Sequence, residues 1–74
     1  MTNLIPNRYY RVSKSIYPIL KVICVEMNLG GSSMRTNVWC AHPMKSNADY
    51  MLYLEWHEWQ LLTIEEAVAY ILEN

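Results

Sequence analysis

The chain has 74 residues, 53% of them hydrophobic and 18% charged, and a formal net charge of −1. That length gives room for one domain, residues 1–74, burying only about 60% of the surface its unfolded chain exposes, and the composition excludes a disordered tail. The uncharged apolar runs, such as Val22 to Val25 and, the longest, Ala67 to Leu72, fall far short of a membrane span of ~20 residues, so no membrane partner is expected.

The small net charge conceals a polar chain. All six basic residues (Arg8, Arg11, Lys14, Lys21, Arg35, Lys45) lie before residue 46, and of the seven acids only Glu26 does. An asymmetry of this kind points to charged interaction surfaces rather than to a fold. No charged stretch followed by an apolar run marks a leader, and the intact Met1 leads to the expectation of a complete small cytoplasmic protein. Cys24 and Cys40 are too few for a disulfide framework and read as thiols in a reducing compartment. Six Tyr, three Trp and no Phe give every ring except the imidazoles of His42 and His57 a phenol or indole handle, which suits half-wet surfaces and interfaces.

In chain order, residues 1–7 read as a loose N-terminal segment stopped by Pro6, and residues 8–12 as a first short strand. Tyr17-Pro18 biases Tyr17 to an extended conformation. Residues 19–29 are the strongest strand, with Ile19, Ile23, Val25, Met27 and Leu29 on one face and Leu20, Val22 and Cys24 on the other. Being apolar on both faces, it should be central. Residues 30–33 (Gly-Gly-Ser-Ser) supply a hairpin turn, and residues 34–42 return as a third strand until Pro43. A three-residue loop would set Cys24 opposite Cys40, a two-residue loop would set it opposite Trp39, and both registers fit.

Residues 49–59 carry Tyr50, Leu52, Leu54 and Trp56 at period two, which favours a fourth strand, although Leu52, Trp56 and Trp59 also fit helical spacing. If that strand lies antiparallel to the third, Arg35 faces Glu55 or Trp56, depending on register. Thr63-x-x-Glu66 is a capping box, with Leu62 placed to staple onto Ala67. The helix it opens carries Ile64, Ala67, Val68, Ile71 and Leu72 as one row, expected to be buried on the sheet. The resulting fold class is α+β: an antiparallel meander of three or four strands packed against one C-terminal helix. A small, partly closed barrel with a terminal helix is the alternative.

No stretch carries a family motif or a reaction signature. Cys40-x-His42, with Cys24 and His57, offers zinc-type ligands but only one loose pair where structural sites show two, so neither metal nor cofactor is expected. Glu55 and His57 would share a strand face about 7 Å apart, yet no nucleophile, phosphate loop or oriented partner accompanies them, so no catalytic residue is assigned and the chain is read as a non-enzyme. Arg8, Tyr9, Tyr10 and Arg11, with Lys14 and Lys21, interleave cations and rings as a single-stranded nucleic-acid platform would. The acidic second half opposes that reading, and nucleic acid is the alternative partner.

The leading expectation is a non-catalytic protein-interaction module, a regulator or inhibitor of a larger complex. In size and composition alone the chain is similar to the small proteins by which phages and mobile elements modulate host complexes. Trp56 and Trp59, ringed by Glu55 and Glu58, are the expected contact surface for a basic protein or a second copy of the chain. On a continuous strand the two indoles would point to opposite faces, leaving one as the anchor and the other to pack inside.

Overall fold

The computed structural model describes residues 4–28, 35–45 and 47–73. Among the described residues, five antiparallel strands, β1 (Tyr9–Val12), β2 (Ile19–Asn28), β3 (Arg35–Ala41), β4 (Tyr50–Tyr53) and β5 (Trp59–Leu61), precede one helix, α1 (Ile64–Glu73). The strands form one sheet in the order β4-β3-β2-β1-β5. The fold class is therefore α+β as expected, with five strands where three or four were expected. β4 and β5 sit on opposite edges and the sheet does not close into a barrel.

The additional strand arises where residues 49–59 were expected to run as one. That segment is broken after Tyr53 by a 3₁₀ turn, Leu54–Trp56, and Trp59 opens β5 instead of ending β4. Five residues, 54–58, thus carry the chain from one edge to the other, a width of roughly 19 Å in a flat sheet. A stretch containing a 3₁₀ turn, rising only about 2 Å per residue there, cannot span it. The sheet must coil, and the 3₁₀ turn lies across its end against β3.

β2 is central and is bent by a bulge. Val22 pairs with Cys40 and Cys24 with Trp39, leaving Ile23 as the extra residue. Cross-strand partners share a face, so the bulge exchanges the faces of everything beyond it. Leu20 and Val22 point to the core before it; Val25, opposite buried Val38, takes that side after it, and Cys24 is turned out to solvent. The expected alternation therefore holds only up to Val22. Cys24 faces Trp39, as the shorter hairpin loop would have it, and the Cys24–Cys40 pairing does not form. The hairpin turn at residues 30–33 lies outside the described residues.

The main core gathers Tyr10, Val12, Leu20, Val22, Val38 and Cys40, with Leu4, Tyr17, Tyr50, Leu52, Leu54 and Trp59 packed around it. Residues 1–7 were expected to be loose. Their described part is fastened: Leu4 packs on the core, the Ile5 amide donates to the Tyr10 hydroxyl (2.8 Å), and the Asn7 amide donates to Val22 O (2.7 Å).

The capping box forms as read, with Glu66 N donating to Thr63 Oγ1 (3.1 Å) and Thr63 N to Glu66 Oε1 (2.9 Å). Leu62 and Ala67, the staple pair, are both buried. The expected burial of the helical row does not occur. Of its members only Ala67 is buried; Ile64, Val68 and Leu72 are 67%, 48% and 80% exposed, and Ile71 is half-buried. The reason lies in the sheet. Leu4, Leu54 and Trp59 already pack against the core cluster, the place the helical row was expected to take. Instead α1 starts beside the β1 edge, where Leu62 N donates to Tyr9 O (3.0 Å).

Candidate functional site

The 3₁₀ turn and the two residues after it are held by side-chain bonds from both ends of the sheet. The Thr36 amide donates to both Glu55 carboxylate oxygens (3.0 and 3.1 Å), and this bonding holds the Glu55 carboxyl below its ordinary range, with Arg35 adding a smaller pull. On the other side the backbones of Ser13 and Glu58 bond (3.1 Å), and Glu58 N donates to Ser13 Oγ (2.8 Å). His57 Nδ1 lies 2.6 Å from Ser13 O; because a carbonyl only accepts, Nδ1 carries the hydrogen. The Glu55 and His57 side chains, which an unbroken strand would set on one face, are instead each engaged with a different strand end.

The break also assigns opposite positions to the two tryptophans. Trp59 is half-buried: it meets Tyr10 and His57 edge-on (ring centroids 6.3 and 6.1 Å apart), and its Nε1 donates to Leu54 O (3.0 Å). Trp56 is 58% exposed. It meets Tyr53 edge-on at 4.7 Å, and the Arg35 guanidinium lies 4.9 Å from its ring centre and 5.5 Å from that of Tyr53. β3–β4 pairing ends at Asn37 opposite Tyr53, so register does not choose between Glu55 and Trp56 for Arg35; the guanidinium lies over the Trp56 face instead, a cation–π arrangement contributing about 0.5–1 kcal/mol at an exposed site.

Trp56 also walls a shallow cleft of about 310 Å³ shared with Ser13, Lys14, Glu55, His57 and Glu58. Lys14, at φ 54°, turns the chain after β1 and borders that cleft. A neighbouring cleft of about 410 Å³ runs past Glu58 and Trp59 toward Arg11 and Gln60. Of the four expected contact residues, Glu55, Trp56 and Glu58 thus surround one depression, while Trp59 is drawn inward. Tyr53, Thr36 and Ser13 were not singled out from sequence. The first could have been found from its register opposite Asn37 on β3, whereas the other two act through main-chain geometry and have no local signal.

The basic N-terminal set is dispersed. Tyr10 is 3% exposed, with its ring in the core. Arg8 donates to Leu62 O (3.2 Å). Tyr9 and Lys21 are cross-strand partners, and Arg11 stands on the same face, opposite Gln60. Lys14 belongs to the Trp56 cleft.

Among the described residues no three His, Cys, Asp or Glu side chains approach closely enough to hold a metal ion. Burial, with a smaller contribution from Cys24, pushes the Cys40 thiol up to about 12. His42 Nδ1 accepts from the Met44 amide (3.2 Å), and its ring meets Tyr17 edge-on. Among the described residues no helix is long and apolar enough to cross a membrane.

The chain matches no family model, no curated protein and no solved structure.

Proposed function

We propose that the chain is a non-catalytic protein-interaction module, acting as a regulator or inhibitor of a larger assembly in the cytoplasm, with Trp56 as the anchor of its contact surface. The observation that carries this reading is the exposure of an indole whose geometry is already set, edge-on to Tyr53 and under Arg35. A large ring held in place before binding loses little freedom on docking, and Trp and Arg are the side chains most enriched among binding hot spots. The exposed Glu58 and Glu55 beside it favour a basic target and faster encounter at low salt.

The alternative reading, a platform for single-stranded nucleic acid, is weaker because the buried Tyr10 cannot stack on a base and Arg8 is tied to Leu62 O. The test compares wild-type and Trp56→Ala baits in source-cell extract by quantitative mass spectrometry, with nuclease treatment in parallel. A defined protein partner that persists after nuclease and is lost with Trp56→Ala, at unchanged melting temperature, supports the reading. Recovery of the same proteins by both baits, or a nuclease-sensitive set lost with Arg11→Ala plus Lys21→Ala, overturns it.

A further inference from the structure

The C-terminal helix presents a second surface of different chemistry. Ile64, Val68 and Leu72 stand four residues apart and form one row along α1, and all three are largely open to solvent. Leu61, 41% exposed, lies just before this row. Rows of this spacing ordinarily face a core; this one does not. Exposed Glu65 and Glu73 accompany it, and α1 contains neither Lys nor Arg.

The helix is also under-supported as it stands. It is ten residues long, shorter than helices that persist in water without packing. Its last turn carries Glu73 and no basic residue, which opposes the helix dipole. Ala67 is its buried residue among those described. Covering the row would supply the apolar contact that the sheet does not.

We propose that α1 is a docking surface for a basic amphipathic helix of a protein partner, its apolar side chains laid on Ile64, Val68 and Leu72 and its Lys or Arg residues directed at Glu65 and Glu73. Charge complementarity selects this occupant. Two copies of α1 packed on each other would bring Glu65 and Glu73 against the same acids, and a helix without basic residues is poorly suited to an anionic lipid surface. The row shares no residue with the Trp56 surface, so either can fail while the other stands.

A display library of amphipathic helices about five turns long, with a constant apolar row and flanking positions varied among Lys, Gln and Glu, tests the proposal against the intact chain. Basic flanks should be enriched, and a selected helix should bind less tightly as salt is raised. Its affinity should fall roughly tenfold or more on Val68→Ser plus Leu72→Ser, two exposed positions whose replacement leaves the fold intact by circular dichroism. The same helix should bind Trp56→Ala unchanged. Glu65→Lys plus Glu73→Lys should switch the enrichment to acidic flanks. Enrichment indifferent to flank charge, no enrichment at all, or equal binding to the Val68/Leu72 variant overturns the proposal. A dimer of the chain alone that the Val68/Leu72 variant dissociates would overturn it too, by assigning the row to a second copy.

Discussion

The inner face of β2 and β3 is sealed, with Leu20, Val22, Val38 and Cys40 fully buried, whereas α1 carries an apolar row of similar size and leaves most of it in solvent. Both elements are amphipathic. They differ in what surrounds them: the strands have hydrogen-bonded neighbours on each side and a coiled sheet closing over them, while the helix follows an edge strand and, among its described residues, buries Ala67 alone. Amphipathicity therefore identifies a face that needs a partner without saying whether the partner lies in the same chain.

The largest effect should come from the sealed region. Leu20→Ala should cost about 2–5 kcal/mol, enough to bring a domain of this size close to unfolding, and a urea titration would reveal it. The two tryptophans repeat the contrast in miniature. Trp59→Ala removes a half-buried ring and its bond to Leu54 O and should cost about 2–3 kcal/mol, while Trp56→Ala should cost under about 1. Equal losses in melting temperature would erase the distinction between core and surface indole.

Thr63→Ala removes the hydroxyl that accepts from Glu66 N, one of the two capping-box bonds, and should cost about 0.5–2 kcal/mol, visible as lost helical ellipticity. Acid titrates the same device. Backbone donors lower the Glu66 and Glu55 carboxyls beneath their ordinary value of 4.5, the Thr63 amide for one and the Thr36 amide for the other. A carboxyl lowered in the folded state contributes stability that is fully present above the unfolded value and disappears as pH falls through the folded one. Melting temperature should therefore decline on acidification below about 4.5, and less steeply in Glu66→Gln. The smallest effect belongs to the open row: Val68→Ser should stay within about 0.5 kcal/mol of wild type. A loss there as large as that of Leu20→Ala would mean that the row is covered within the folded chain.

Much of the fold was legible locally. An Ile- and Val-rich run placed β2, the Gly-Gly-Ser-Ser turn signal and Pro43 bounded β3, and the Thr63–Glu66 spacing placed the start of α1, because a propensity, a turn or a cap depends on residues within a few positions. The end of β4 was not legible. Residues 49–59 have an unbroken period of two through Trp56, but Glu55 is turned to the Thr36 amide and Glu58 to Ser13, partners 19 and 45 residues away. Neither attachment has a signature in its own segment. The same break decided which tryptophan stays outside.

The sequence by itself determined the α+β class, the central position of β2 and the capped helix, since these follow from short-range pattern. Only the tertiary structure decided the bulge at Ile23 that turns Cys24 outward, the fifth strand on the β1 edge, the inward position of Trp59 and the exposure of the α1 row. Each of these depends on how a coiled sheet closes over its own core. That closure is set by the combined volume and register of segments distant in sequence, which no local periodicity encodes.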